Sequence, residues 1–168
     1  KIHTFTGPGT FTVSQTAVCS ANNVVDYLVA AGGGSGGYCN YAGGGGAGGF
    51  RFYANTVVNP QSGSGAPRNN YPSGTSITVT ATGFPVTVGG GGARPGSGQG
   101  VNGSNSIFST ITSAGGGGGG GNTCAALSGG SGGGGAGGSP VPSPNRNGGA
   151  GNTPPVSPSQ GMPGFGPP

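Results

Sequence analysis

The sequence predicts an all-β fold in which a small antiparallel β-sandwich is joined to packed polyglycine II-type helices, with essentially no α-helix. Three observations lead to this prediction. Short segments rich in Val, Ile, Thr and aromatic residues recur along the chain, and runs of glycine separate them. No window places apolar residues at the 3.6-residue spacing of an amphipathic helix.

Seven segments carry the strand pattern. Ile2–Thr6 and Thr10–Ser14 flank a Gly-Pro-Gly sequence that is typical of a hairpin turn. Val24–Ala31 is apolar on both faces, which is typical of a strand buried on two sides, and Ser76–Thr82 alternates apolar residues with threonine. The remaining predicted strands are Phe50–Val58, Phe84–Val88 and Ser106–Thr112.

The glycine runs are the second predicted element. They cover residues 32–37, 43–49, 89–92, 115–121, 129–138 and 148–151. Ordering a glycine backbone costs about 1–2 kcal/mol per residue, and no side chain offsets that cost. Ordered runs must therefore be held by backbone hydrogen bonds, as in side-by-side helices with three residues per turn. Collagen is excluded because the runs do not place Gly at every third position.

Composition divides the chain into two parts. Residues 1–138 are predicted to form a structural domain of strands and glycine helices. Residues 139–168 are rich in Pro, Gly and Ser and predict an extended tail or docking arm. The chain begins with Lys1 and shows no leader pattern, so we expect a processed product or an excised part of something longer.

Charge and hydropathy limit the partners. Five basic residues and one acidic residue give a net charge of +4, and the charges are scattered, without a basic stripe. We therefore expect no nucleic-acid partner. No apolar window approaches the roughly 20 residues of a membrane span, so no membrane insertion is expected.

Catalytic, cofactor and metal sites are not expected either. His3 and Asp26 are the only histidine and the only acidic residue, so paired carboxylates cannot form and a Ser-His-Asp triad would need both. Lys1 is the only lysine, which excludes a P-loop. Cys19, Cys39 and Cys124 allow one disulfide, whose pair stays open. Asn102 begins an N-glycosylation motif, which we interpret as a turn.

Aromatic residues cluster at two places. Tyr38, Tyr41, Arg51 and Tyr53 are candidate receptor or assembly contacts, because Tyr and Arg favour binding surfaces. The alternative, which we favour, is that these rings cap the ends of glycine runs or fill the core between strands.

The order of these segments resembles the glycine-rich domain of phage virion and tail-fibre proteins, particularly those of marine phages. The stretches that carry the resemblance are Lys1–Val13, Val25–Gly34, Gly43–Arg51, Pro85–Gly89, Asn102–Gly121 and Gly151–Gly161. NGSNSIFSTIT within Asn102–Gly121 is the most specific of them. The Tyr38–Tyr41 insert and the Gly161–Pro168 ending depart from the pattern.

The resemblance implies a non-catalytic structural module of a phage virion appendage, such as a tail fibre or surface fibre. Its partners would be copies of itself or other virion or fibre subunits, and its location the virion surface or the extracellular space. Two alternatives keep the fold and change the role: a subunit of a self-assembling extracellular filament, or a receptor-binding adhesin tip with a host-cell receptor as its partner. Glycine-rich fibre-tip adhesins sandwich polyglycine helices, which agrees with the packing predicted above.

Overall fold

Eight short β-strands and one 3-10 turn form the regular secondary structure of the computed structural model, which describes residues 1–38, 40–54, 74–137 and 146–166. No α-helix occurs among these residues. The strands are β1 (Gly9–Thr12), β2 (Val24–Val25), β3 (Tyr27–Ala30), β4 (Phe50–Tyr53), β5 (Ile77–Thr78), β6 (Gly83–Thr87), β7 (Ser106–Phe108) and β8 (Ile111–Ser113), and the 3-10 turn is Ser20–Asn22.

The strands form three antiparallel sheets. The largest has four strands in the order β1-β6-β7-β8, and the other two are the pairs β2-β5 and β3-β4. The prediction of an all-β fold built from antiparallel sheets is confirmed.

One hydrophobic core lies among the three sheets. It is built from β-branched and aromatic side chains, the residue types that favour strands. The buried members are Tyr27, Val29, Ile77, Val79 and Ile111, and the partly buried side chains packed against them are Phe11, Val13, Val25, Tyr53, Phe84 and Phe108. Rings from different strands meet edge to face, as Phe11 and Phe108 do at a centroid distance of 5.9 Å.

The predicted strand Val24–Ala31 is divided at Asp26. Val24 and Val25 pair with β5, whereas the residues after Asp26 pair with β4, so the chain changes partner there. The expected burial on both faces is wrong, because Leu28 is 65% exposed. The two-stranded sheet β3-β4 packs only its Tyr27 and Val29 face on the core, which leaves the opposite face open.

Two further strand predictions change in detail. Ile2–Thr6 is not a strand, and β1 pairs with the distant β6 instead of a local hairpin partner. That register places Phe11 opposite Phe84 in the core, which a hairpin with residues 2–6 would not do. The predicted strand Ser106–Thr112 is the hairpin β7-β8, whose turn has Ser109 at a φ of 53°.

The glycine runs are neither helix nor strand, apart from the isolated bridges Tyr38–Gly98 and Gly121–Cys124. They are nevertheless part of the interior, since every residue from 113 to 121 is buried. Some residues of the predicted features lie outside the described ranges: Cys39, residues 55–58 of the predicted strand Phe50–Val58, residue 138 of the glycine run 129–138, and residues 139–145 and 167–168 of the predicted tail. In the ranges the structure describes, no helix has the length and apolar character needed to cross a membrane.

Candidate functional site: the glycine lattice and its two ends

The run 115–121 is the centre of a backbone hydrogen-bond network whose partners repeat every third residue. Gly116 and Gly119 donate to the carbonyls of Gly32 and Ser35 in one neighbouring segment. Gly117 and Gly120 donate to the carbonyls of Ser131 and Gly134 in a second segment. Gly115 and Gly118 donate to the side-chain Oδ1 atoms of Asn105 and Asn102 in a third. The donor–acceptor distances lie between 2.8 and 2.9 Å.

The carbonyls of the same run follow the same period. The carbonyls of Gly116 and Gly119 accept from the N–H groups of Gly103 and Gly100. Those of Gly117 and Gly120 accept from Gly46 and Gly43. Those of Gly115 and Gly118 accept from Gly130 and Leu127. Both backbone polar groups of each residue from 115 to 120 are therefore paired, which is what burial demands.

The neighbouring runs repeat the pattern with one another. Along residues 31–37 every third N–H donates to the antiparallel run 43–49, and a second set one residue further on donates to residues 98–104. The first set is Ala31 to Gly49, Gly34 to Gly46 and Gly37 to Gly43, and the second is Gly32 to Ser104, Ser35 to Val101 and Tyr38 to Gly98. We call this network of residues 31–38, 41–49, 89–92, 98–105, 115–137, 146–151 and 161–166 the glycine lattice.

The described part of the predicted tail belongs to this lattice. Gly149 donates to Gly133, and Gly164 donates to Gly149 in turn. Residues 162 and 165 accept from Gly132 and Gly135, again three apart. The tail thus docks on the body as two further lattice runs.

Close approach explains why glycine dominates the inner positions. A Cβ atom on Gly34 would overlap the carbonyl of Gly117, and one on Gly119 would overlap the carbonyl of Gly43. Neither obstacle is a flexible side chain, so no rotamer change could relieve the overlap. At the outer positions Gly44 and Gly90 a Cβ atom would meet nothing within 4 Å.

Gln160 joins the lattice to the sheets. Its side chain is only 2% exposed, and its Oε1 accepts from the N–H of Ala114 at 2.8 Å. Its Nε2 donates to the carbonyl of Pro154 at 2.8 Å, and its own carbonyl accepts from Phe50 N–H at 2.7 Å. Both ends of the amide are therefore paired in a buried position, which is the requirement for placing a polar side chain there.

The lattice has two ends of different character. At the end where residues 31, 49 and 114 lie, its runs continue into β3, β4 and β8, and we call this the sheet end. At the opposite end, which we call the far end, lie residues 38, 40–42, 93–98 and 122–124. Level with the last central glycine, Gly121, lie Gly98 and Cys124, whose backbone groups make the two isolated bridges.

The four predicted contact residues are divided between these ends. Tyr38 and Tyr41 lie at the far end and are 46% and 42% exposed. Arg51 and Tyr53 lie on β4 at the sheet end, where Arg51 is only 8% exposed. The run 43–49 separates the two pairs, so the structure does not bring all four together. Their role as binding contacts stays a prediction.

Tyr53 stacks on Tyr27 at a centroid distance of 6.1 Å, and Tyr27 Oη donates to the carbonyl of Thr75 at 2.7 Å. Burial raises the pKa of Tyr27 above its usual value, the positive charge of Arg51 opposes that rise, and Tyr53 adds to it. The hydroxyl consequently stays protonated to a higher pH than that of an ordinary tyrosine.

The sequence-based reasoning missed two groups that matter. Asn102 and Asn105 supply side-chain acceptors to the central run, and Asn102 Nδ2 also donates to the carbonyl of Ser128. Their three-residue spacing matches the lattice period and was the available signal. Gln160 had no comparable signal, because a Gln in a Pro- and Ser-rich segment does not indicate burial.

Two of the three cysteines, Cys19 and Cys124, lie among the described residues. Cys19 and Cys124 are free thiols, and Cys124 Sγ lies 3.7 Å from Thr123 Oγ1. Among the residues that the structure covers, no group of three or more His, Cys, Asp or Glu side chains is arranged to hold a metal ion.

The geometry defines an all-β protein whose glycine runs are held together by backbone hydrogen bonds. The chain belongs to the glycine-rich domain family, whose model matches residues 5–166. No curated protein and no solved structure gave a significant match.

Proposed function

We propose that the chain is a non-catalytic structural module of a phage virion appendage, such as a tail fibre or surface fibre, and that its glycine runs are packed polyglycine II-type helices. A polyglycine II helix has three residues per turn and no internal hydrogen bonds, so its backbone groups point outward to neighbours. The three-residue repeat of partners along residues 115–121 supports the helix geometry. The virion role is supported by the resemblance of the segment order to phage virion and tail-fibre domains.

A lattice of this kind is suited to mechanical rigidity. Its cohesion comes from backbone groups that do not titrate, and the whole chain has only one acidic residue and one histidine. Titration of the few charged groups by a change in pH, or screening of their interactions by salt, would therefore leave the lattice intact. Rigidity under variable external conditions is what an exposed appendage requires.

The location of the protein tests this function. Antibodies raised against the full chain should label the appendages of virions purified from lysates of the source culture, when viewed by immunogold electron microscopy. Antibody absorbed beforehand with the purified chain is the control and should give no label. Label confined to free filaments would contradict the virion role in favour of the filament alternative, and label confined to the interior of cells would contradict both.

A further inference from the structure

The sequence contains two Asn-Gly dipeptides, and the fold places them in different chemical situations. They are Asn102-Gly103 and Asn147-Gly148, and no other asparagine of the chain precedes a glycine. An asparagine side chain can be attacked by the backbone nitrogen of the next residue. Glycine at that next position favours the attack, because it has no Cβ to hinder the approach and its backbone is the most permissive.

Asn102 is held at both ends of its side-chain amide. Its Oδ1 accepts from the N–H of Gly118 at 2.8 Å, and its Nδ2 donates to the carbonyl of Ser128 at 3.1 Å. The N–H of Gly103, which would have to attack this amide, donates to the carbonyl of Gly116 at 2.9 Å. Reaction at Asn102 would therefore break three hydrogen bonds of the glycine lattice.

Asn147 has none of these restraints. Both asparagines are exposed, so access to solvent does not distinguish them. Within the part of the chain that the structure describes, however, the side chain of Asn147 has no hydrogen-bond partner, and the N–H of Gly148 has no acceptor. Both reacting groups are consequently free to meet.

The glycine of the second dipeptide is itself required by the lattice. A Cβ atom on Gly148 would overlap the carbonyl of Gly164, which belongs to the neighbouring run. The obstacle is backbone, so no rotamer change could relieve the overlap. Close packing thus demands glycine directly after Asn147, and a reactive dipeptide results.

We propose that Asn147 is a site of spontaneous deamidation and that the lattice protects Asn102 from the same reaction. The backbone nitrogen of Gly148 forms a bond to Cγ of Asn147 and closes a succinimide ring. The bond from Cγ to the side-chain nitrogen breaks, and that nitrogen leaves as ammonia with the proton from Gly148. One water molecule then opens the ring. Opening at Cγ gives aspartate, and opening at the main-chain carbonyl gives isoaspartate, whose backbone runs through Cβ and Cγ.

The reaction changes both the charge and the backbone of the tail. Either product replaces a neutral amide by a carboxylate, so the net charge falls by one from +4. Isoaspartate also adds one carbon atom to the backbone between Arg146 and Gly148. Both residues are packed against other runs, since a Cβ on Gly135 would overlap the carbonyl of Arg146 and one on Gly148 that of Gly164. Isoaspartate at this position therefore loosens the docking of the tail.

Ageing of the purified full chain tests the proposal. One sample is kept native in neutral buffer, and a second is kept unfolded in guanidinium chloride until both dipeptides have reacted, which sets the observation time. Digestion after arginine separates the two sites, because Arg146 lies between them, and mass spectrometry measures the conversion of amide to acid at each. We expect comparable rates at both sites in the unfolded sample. In the native sample Asn147 should react at least about tenfold faster than Asn102, whose hydrogen bonds must first open.

Two variants check the site and its consequence. Asn147→Gln should abolish the reaction at this position, because the longer side chain would have to close a larger ring, and its thermal unfolding should match that of the unaged wild type. Asn147→Asp carries the same charge as the aged chain with a normal backbone. Aged chain enriched in isoaspartate should be cleaved by proteases around residue 146 faster than Asn147→Asp.

Three results would overturn the proposal. If Asn147 stays an amide in the native sample throughout the observation time, it is not a deamidation site. If the two asparagines react equally fast in the native sample, the lattice does not protect Asn102. If aged chain and Asn147→Asp are cleaved at the same rate, the added backbone atom does not loosen the tail. The proposal does not rest on the virion role, and none of these results bears on it.

Discussion

Gly46 donates its N–H to the carbonyl of Gly117 across 2.7 Å, and three residues away on each run Gly43 donates to Gly120. The two bonds relate an outer run to the central run in antiparallel register with a step of three. The step of three is repeated around the centre, in parallel as well as antiparallel register, and it holds together segments that have almost no side chains. The predictions below follow from it.

Adding one methyl group at an inner position should destabilise the protein. Gly119→Ala would place a Cβ against the backbone of Gly43 and Gly44, so the two runs must move apart and lose hydrogen bonds. We expect a loss of about 2–4 kcal/mol in the free energy of unfolding, measured by urea denaturation. Gly44→Ala is the control, because its Cβ would meet nothing within 4 Å, and it should change stability by no more than about 0.5 kcal/mol. Equal effects of the two substitutions would contradict close backbone packing.

Replacing Gln160 should separate the tail from the body. Gln160→Leu leaves the N–H of Ala114 and the carbonyl of Pro154 without their partners in a buried place. The expected cost is about 2–4 kcal/mol of unfolding free energy, together with faster proteolysis after residue 146. Gln15→Leu, at an exposed position, is the control and should be nearly neutral. If Gln160→Leu were as stable as the wild type, the proposed role of Gln160 in joining the tail to the body would be wrong.

Stability should fall in alkali through Tyr27. Its pKa is raised in the folded state, so the folded protein favours the neutral phenol more than the unfolded chain does. The resulting stabilisation is complete below the unfolded pKa of about 10 and is lost as pH rises through that value towards the higher folded pKa. Urea midpoints measured from pH 8 to 11 should show this decline.

Tyr27→Phe provides the comparison. The variant lacks the hydrogen bond to Thr75, so it should be less stable by about 1 kcal/mol at pH 8. The difference between wild type and variant should shrink as pH rises past 10. A difference that stays constant across the range would mean that Tyr27 ionises equally in both states.

The strands were predictable where alternation alone decides burial. Ile77 and Val79 are buried and Thr78 and Thr80 are exposed, as their spacing indicates. The division of residues 24–31 at Asp26 could not be predicted, because the partner of each half is a distant segment of the chain. Likewise, the exposure of Leu28 depends on how many strands its sheet contains, which is a tertiary property.

The candidate site was predictable only in part. The cost of ordering glycine indicated that backbone hydrogen bonds must hold the runs, and paired backbone groups are found along residues 115–120. The separation of Tyr38 and Tyr41 from Arg51 and Tyr53 was not foreseen, although run 43–49 lies between them in sequence. The extended geometry predicted for the runs, with three residues per turn, would have indicated this separation had it been applied to residues 43–49.

Amide hydrogen exchange, followed by NMR on the full chain, tests the central claim most directly. The N–H groups of Gly116–Gly120 all have acceptors and are buried, so they should be among the slowest to exchange. Those of Gly36 and Gly44 are exposed and have no acceptor among the described residues, so they should exchange within the dead time of the experiment. Exchange of Gly116–Gly120 as fast as that of Gly36 and Gly44 would contradict a hydrogen-bonded glycine interior.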